Sequence, residues 1–279
     1  MSAKPDFVHL HLHTEYSLLD GACHLDELVD EGVRLGMKAM AITDHGNMFG
    51  AVAFHDACRE KGLKPILGCE VYVAPASRFE RQAQSASDAY NHFTLLATSD
   101  AGYHNLIKLV SAGYLEGFYH RPRIDKDLLA KHSEGLIGLS GCLSGEIAQH
   151  ILAGAEDAAL ASASVFSEIL GKDRFYLEVM EHGIPDQRRV TQGLLRVRQK
   201  TGLKLAATND AHYLHRDDHH AHDVLLCIGS GKKVGDAERL RFDTNHFYLK
   251  SGEEMAGLFP DHPEALSSTV QIAEMCDFT

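Results

Sequence analysis

The chain has 279 residues, 44% of them hydrophobic, which suits one large α/β domain or two small ones. No run is long and apolar enough to cross a membrane, the opening MSAKPDF lacks an apolar signal core, and six cysteines lie scattered without a C-x-x-C pair; a membrane, secreted or disulfide-framed protein is not expected, and a reducing cytoplasm is. A net charge of −12 argues against a surface that grips nucleic acid by charge, unless divalent cations turn a local acidic, histidine-rich cluster positive; 19 histidines against 27 Lys plus Arg point that way.

The first element is FVHLHLH, residues 7–13. Side chains two apart on a strand share a face, so His9, His11 and His13 would form one row while Val8, Leu10 and Leu12 enter a core. Imidazole is the commonest metal ligand and the usual acid–base group near neutral pH, although a strand face of solvated histidines would alternate in the same way. Leu25, Leu28, Val29 and Gly32 then follow i, i+3, i+4, i+7, a helix stopped by Gly36. AMAITDH (39–45), PILGCEVYVA (65–74) and HFTLLAT (92–98) read as further strands, with the polar segment 76–91 as a loop over one barrel end. Leu106, Leu109, Val110, Gly113 and Tyr114 repeat the helical pattern before the strand GLIGLSGC (135–142). Helices from Ile147 to Leu152 and from Glu156 to Gly171 precede RFYLEVME (174–181). A helix opened by Pro185 and closed near Gly202 precedes LKLAATNDAH (203–212). These seven runs are near-continuously apolar and alternate with helices, which implies a parallel sheet with enough units to close a barrel.

After Leu214 a helix is expected from Asp217 to Ile228, then a turn-rich stretch, a capping box at Ser251 to Glu254, and a last helix from Pro263 to Cys276. Residues 1–279 thus read as one domain, with a barrel over about 5–230 and a C-terminal extension over about 231–279.

The polar residues near the strand ends carry the chemistry. They are His11, His13 and Asp20; Asp44 and His45; Glu70; His92; Cys142; Glu178, Glu181 and His182; and Asp210 and His212. In parallel barrels the C-terminal strand ends meet on one face, which holds the site; His92, at a strand start, fits this less well. Singly, each has a plain reading: Glu70 paired with an arginine, Cys142 an inert thiol, His92 a surface histidine. Jointly they do not, because buried carboxylates and imidazoles are costly unless paired or metal-bound. Mixed imidazole, carboxylate and thiolate suit zinc or a similar first-row metal, and so many ligands suit two or three ions sharing a carboxylate, a cluster that hydrolyses phosphate esters. Arg78, Arg81, Arg121 and Arg123 are candidate phosphate contacts, though a solvated basic loop reads equally well, and Lys232, Lys233, Arg239 and Arg241 read as surface or interface charges.

H-L-H-T, T-D-H-G, the buried Glu70, S-G-C and N-D-A-H, in this order, resemble the PHP (polymerase and histidinol phosphatase) superfamily. FVHLHLHTEYSLLDG, AITDHGNMFGAV, KPILGCEVYV, GYHNLIKLVSAGYLEGFYHRPRID, GLIGLSGCLSGEI and AATNDAHYL resemble its branch at the N-terminus of bacterial DNA polymerase III alpha subunits, over essentially the whole chain. The resemblance implies an α/β fold, a distorted (β/α)7 barrel with a C-terminal helical extension. It also implies three divalent ions, zinc or manganese, on nine ligands: His11, His13, Glu70 and Asp210 for one, Glu70, His92 and Cys142 for a second, Asp20, His45 and His212 for the third. Asp20 and Cys142 stand where the phosphatase branch tends to have histidine. His9 is not a family ligand, and supporting the ligands or a plain structural role are both open to it. With all nine ligands kept, the implied activity is a proofreading 3′–5′ exonuclease with Glu70, Asp210 and His13 as its catalytic residues. It would act on a DNA 3′ end in a bacterial, cytoplasmic, nucleoid-associated replisome, with no membrane. Its partners would be the polymerase core of the same parent chain, from which this chain looks excised, and other replisome subunits. The alternatives are a stand-alone phosphomonoesterase such as histidinol-phosphatase, which Asp20, Cys142 and YLEGFYHRPRID count against, and a metal-stabilised docking module without catalysis.

Overall fold

A computed structural model describes residues 6–18, 20–83, 85 and 87–277; positions 84 and 86 of the expected 76–91 loop, and the outermost ends of the expected domain, lie outside the described residues. Seven strands, β1 (Ala39–Ile42), β2 (Lys64–Val73), β3 (Asn91–Ala97), β4 (Arg123–Ile124), β5 (Leu136–Leu139), β6 (Phe175–Val179) and β7 (Lys204–Ala207), form one curled sheet in the order β1-β2-β3-β5-β6-β7, with β4 paired to β2. Ten α-helices accompany them among the described residues: α1 (Leu25–Arg34), α2 (Ala51–Glu60), α3 (Asp100–Leu115), α4 (Lys126–Lys131), α5 (Glu146–Leu152), α6 (Glu156–Leu170), α7 (Pro185–Thr201), α8 (His219–Ser230), α9 (Gly252–Leu258) and α10 (Pro263–Met275). The α/β barrel is thus the observed fold, and α2, α4 and β4 go beyond the elements read from the sequence.

Two features depart from an all-parallel barrel. β3 runs antiparallel to both neighbours, with Glu70 opposite Thr94 and Tyr72 opposite His92. The connection fits this direction: among the described residues between β2 and β3 there is a polar loop with a 3-10 turn and none of the α-helix that usually carries a parallel crossover. The segment 7–13, expected as a strand, makes only isolated pairings. It still closes the barrel, since His9 O accepts from Ala41 N, Leu12 O from Thr43 N, and His13 N donates to Ala211 O. The amides of Val8, Leu12 and Thr14 donate to side chains instead, to Thr269 Oγ1, Thr43 Oγ1 and Asp44 Oδ1, and that competition breaks the ladder.

Apolar side chains fill both sides of the sheet. Between sheet and helices, Phe93 stacks on Phe166 at 4.4 Å within a cluster that also takes in Leu136, Leu177 and Val197. The C-terminal region is integral to this core. The Ser251–Glu254 capping box forms as expected, with Ser251 N donating to Glu254 Oε2 at 2.8 Å. Met255, Phe259, Ala265 and Leu266 join the outer core, while Ile272, Ala273 and Cys276 pack with Val8, Leu10 and Ala39. No helix among the described residues is long and apolar enough to cross a membrane.

His9 belongs to this framework. It is fully buried and its Nε2–H donates to Lys250 O at 2.8 Å, tying the strap before α9 to the barrel. Burial lowers its pKa to about 4. His182 is equally committed as a neutral ring: Nε2–H donates to Asn209 O at 2.9 Å, Nδ1 accepts from Gln187 Nε2 at 2.7 Å, and burial lowers its pKa to about 3. The unfolded chain therefore takes up these protons near pH 6.5 and the native chain does not, so acid favours unfolding through this window. His9→Gln, which can still donate to Lys250 O, should flatten the loss of stability between pH 6.5 and 4 by up to about 1.4 kcal/mol per pH unit, measured by urea unfolding. An unchanged slope would show that His9 is protonated in the native state.

Candidate metal centre

The antiparallel turn of β3 resolves the position of His92. Its N-terminal end lies beside the C-terminal half of β2, so His92 enters the same barrel mouth as the residues ending the other strands. His45 follows β1 in the turn Asp44-His45-Gly46. Gly46 has φ +62°, and a Cβ there would stand 2.9 Å from the Tyr72 ring, so a larger residue would push His45 off β2. Asp210 follows β7 at φ +44°, a left-handed conformation that Asp and Asn tolerate best, and the turn brings Asp210 and His212 to one point.

All nine expected ligands meet in one cluster. His11 Nε2 is 3.3 Å from Glu70 Oε1 and 3.4 Å from Asp210 Oδ1, and His13 Nε2 is 3.1 Å from Asp210 Oδ1. His45 Nδ1 is 2.5 Å from Glu70 Oε2, and its Nε2 is 3.2 Å from Asp20 Oδ2. His92 Nδ1 is 2.9 Å from Glu70 Oε1, Cys142 Sγ is 3.6 Å from His92 Nδ1, and His212 Nδ1 is 3.6 Å from Asp210 Oδ1. Glu70 stands at the centre, with one oxygen toward His11, His92 and Cys142 and the other toward His45 and His13.

The orientation of the rings separates a ligand cluster from a hydrogen-bonded network. His11 Nδ1–H donates to Glu178 Oε1 at 2.7 Å. Ser17 Oγ–H already donates to Asp44, so His13 Nδ1–H donates to Ser17 Oγ at 3.1 Å. His212 Nδ1–H donates to Asp210 O at 2.8 Å. Each ring is thereby fixed with an Nε2 lone pair left over. His11 Nε2, His13 Nε2, His45 Nδ1, Glu70 Oε2 and Asp210 Oδ1 are buried and form no hydrogen bond of acceptable geometry, although His13 Nε2 lies 3.1 Å from Asp210 Oδ1 and His45 Nδ1 2.5 Å from Glu70 Oε2. Five orphaned lone pairs converging on one space would be costly in a dry interior and are what a cation would satisfy.

Without a cation the cluster balances its charge with protons: burial would lower the pKa of His11 and His45, but Glu178, Asp210 and Glu70 hold His11, and Asp20, Tyr72 and Glu70 hold His45, well above the ordinary histidine range, and a divalent ion would take the place of those protons. Burial alone would raise the pKa of Glu70, but His92, His45 and His11 hold it well below the usual carboxylate range. Asp210 and Asp20 are depressed likewise against their burial, Asp210 chiefly by His11 and Asp20 chiefly by His45. Burial, together with His45 and His212, lowers His13 to about 3, keeping it neutral. The Cys142 thiol is pushed well up by burial and then by Glu70 and Asp210, so only a nearby cation would favour the thiolate. The donor set and its geometry therefore fit first-row divalent metal. Three overlapping trios, His13/His45/His212, His11/His13/Glu70 and His45/Glu70/His92, each bring ligand atoms within 4.8 Å of one another. His45 thus faces Glu70 as well as its expected partners Asp20 and His212.

Several supporting residues were visible in the sequence without a role. Glu178 accepts from His11, from Thr208 Oγ1 at 2.6 Å and from Gly141 N at 2.9 Å, joining a ligand to the Cys142 loop. Asp44 holds no ligand position; its oxygens take Thr14 N, Thr14 Oγ1 and Ser17 Oγ, each at 2.7 Å, and build the turn leading to Asp20. His222 Nε2–H donates to Asp20 O at 2.8 Å. Glu178→Gln should keep the fold but lower metal affinity roughly 10- to 100-fold, read by competition with a chelating dye; undiminished affinity would show that His11 needs no outer partner.

The four arginines separate. Arg123 is buried, and its guanidinium donates to the carbonyls of Gly117, Ala89, Arg78 and Glu80, so it staples the 76–91 loop. Arg78 is clamped between Asp125 at 3.0 Å and Glu116 at 2.6 Å. With their donors committed, neither is placed to take a phosphate. Arg81 is exposed, while Arg121 lines the cleft beside Asp20 and His45. Arg239 pairs with Asp223, and Lys232, Lys233 and Arg241 are exposed.

The family model of the PHP domain matches residues 9–182. The DNA polymerase III subunit alpha of Treponema pallidum is 46% identical over 275 residues, 99% of this chain and 24% of that protein. That of Thermus aquaticus is 47% identical over 283 residues, 99% of this chain and 23% of that protein. The chain thus spans about a quarter of the length of these curated relatives. A Bacteroides vulgatus two-domain protein, described as containing a predicted PHP-like metal-dependent phosphoesterase, has a solved structure that superposes with a TM-score of 0.44 at 15% identity, covering 75% of this chain and 54% of that one. From the family match over residues 9–182, more than half of its length, the chain belongs to the PHP domain family.

Proposed function

We propose that the chain is a metal-dependent 3′–5′ exonuclease domain of a bacterial replicative DNA polymerase alpha subunit. It removes misincorporated nucleotides beside a polymerase core and other replisome subunits, in the cytoplasm at the nucleoid. The observation that carries this reading is the set of orphaned, inward-facing lone pairs on His11, His13, His45, Glu70 and Asp210. His11, His13, Asp20, His45, Glu70, His92, Cys142, Asp210 and His212 would together hold up to three zinc or manganese ions. Such ions supply an activated water near neutral pH and a counter-charge for the leaving oxygen. Glu70, with His11 and His92 facing one oxygen and His45 the other, would be the carboxylate that serves more than one ion. Asp210 and His13 fix the inner wall, both against the sealed side of the barrel, where the His13 side chain has no exposure. Asp20 at 26% and His45 at 14% side-chain exposure form the open side, from which a phosphodiester would approach.

The test takes one gently purified sample, never exposed to chelator, for both metal analysis and digestion of a 3′-mismatched primer. Metal-dependent release of nucleotides from the 3′ end is expected. A metal-loaded chain that leaves the primer intact would overturn the exonuclease and leave a metal-stabilised docking module. Release of phosphate from histidinol phosphate without primer cleavage would favour the phosphomonoesterase.

A further inference from the structure

The ligand cluster opens into a cleft of about 280 Å³ with Asp20 and His45 in its inner wall. Its rim carries Leu18, Phe49, Tyr114 and Phe118, whose exposures are 68%, 63%, 42% and 51%. Single exposed apolar side chains are ordinary, but four around one cleft that abuts a reactive cluster form a patch that calls for an occupant.

The rim is built rather than loose. Phe49 follows a turn in which Asn47 Nδ2 donates to Tyr16 O and His45 O, and Phe49 N donates to Asn47 Oδ1, each at 3.0 Å. On the other side, His120 at φ +62° bends the chain between Phe118 and Arg121, and Arg123 Nε holds that bend through Gly117 O at 3.0 Å. The Arg121 guanidinium lies over the Tyr72 ring at 5.8 Å, and the Tyr72 ring stacks on His45 at 6.1 Å. A cation therefore sits between the aromatic rim and the ligand cluster, in a chain whose net charge is −12.

We infer that this cleft receives one unpaired terminal nucleotide of a DNA strand, with its base against Phe49 and Phe118 and its phosphate between Arg121 and the ligand cluster. The inference rests on the exonuclease reading and names the residues that select its substrate. Aromatic faces accept any base, which suits removal of any misincorporated nucleotide. An arginine at the inner end suits the phosphate. A paired terminal base must first leave its stack to enter, which favours mismatched and single-stranded ends.

The experiment uses an oligothymidylate whose 3′-terminal base is 2-aminopurine, and a matched strand ending in an abasic residue. With manganese present and the last linkage made a methylenephosphonate, in which CH2 replaces the leaving 3′ oxygen and prevents turnover, wild type should quench the 2-aminopurine fluorescence, and Phe49→Ala/Phe118→Ala should abolish the quench. With manganese and the ordinary linkage, the double variant should raise KM for the base-ended strand about tenfold with little change in kcat. The abasic-ended strand should already show the raised KM on wild type and respond little to the substitutions. Both phenylalanines are largely exposed, so their loss should leave the fold intact, which the melting curve checks. Absence of a quench on wild type, or an unchanged KM in the double variant, would overturn the nucleotide cleft and make the rim a surface for another protein. If wild type cuts neither strand with manganese or zinc, the exonuclease reading itself fails.

Discussion

Asp210→Asn is expected to abolish nucleotide release from a 3′-mismatched primer while leaving circular dichroism and thermal melting close to wild type. The substitution suits its position unusually well. Asp210 sits at φ +44°, where asparagine is the one other side chain that is nearly as comfortable, so the turn carrying His212 should survive. What disappears is charge. The Asp210 carboxylate is held ionised by His11, His212 and His13, and its buried, unpartnered Oδ1 is one of the atoms aimed at the cluster. An amide in its place offers a weaker ligand or turns a donor toward the cations. Because loss of an outer partner of a ligand already costs about 10- to 100-fold, loss of a ligand charge should cost roughly 100-fold or more. His13→Ala, which removes a ring instead of a charge, should match it in activity and show a lower melting temperature, because it leaves a cavity beside His45 at a ring spacing of 4.0 Å. A contaminating nuclease would persist through both substitutions, so equal cleavage by wild type and both variants would refute the assignment.

How far the sequence determines this site can be judged residue by residue. The candidate ligands stood out among polar residues ending or interrupting apolar runs, where burial demands a partner, and the resemblance to the PHP family then singled out nine of them. The distorted barrel was legible from the alternation of those runs with helical spacing. The inverted direction of β3 was not drawn from the pattern, although the polar segment 76–91, read as a loop and not as a crossover helix, was the available signal. The puzzle of His92 at a strand start followed from that single omission. The break-up of the first strand was beyond sequence reasoning, because it depends on the hydroxyls of Thr43 and Thr269 arriving from distant segments. The same holds for the arginines. Arg121 and Arg123 look alike in HRPRID, yet Arg123, at the start of β4, enters a cage of carbonyls, while Arg121, outside the strand and next to the left-handed His120, lines the cleft. Glu178 and Asp44 stood among the polar strand-end residues without a role of their own, and only tertiary placement shows that they hold candidate ligands in position. His9 shares the alternation of His11 and His13 and still departs from them, since its ring meets Lys250 O instead of the cluster.

Removal of metal should lower the melting temperature by several degrees, and Glu70→Ala should release more than one ion. Both follow from the same geometry. Glu70 is 1% exposed, and its two oxygens face His11, His13, His45, His92 and Cys142, five of the other eight candidate ligands. If each oxygen serves a different ion, deleting the carboxylate strips a ligand from two sites at once. A carboxylate serving one site would lose one ion only. Metal analysis of wild type and variant after the same dialysis separates the cases, and at most one ion per chain in wild type never exposed to chelator would refute a three-ion cluster. The stability effect is linkage: a ligand that binds only the folded chain stabilises it by about 2.7 kcal/mol when present at 100 times its dissociation constant. Without cations, five buried atoms lose their partners and the carboxylates are left to imidazoles alone. Metal should also leave as pH falls through the ordinary histidine range, because protonated imidazole cannot bind it. An identical melting curve for demonstrably metal-free protein would mean that Glu70 and its histidines hold the barrel mouth together by themselves, and that any metal bound there serves chemistry alone.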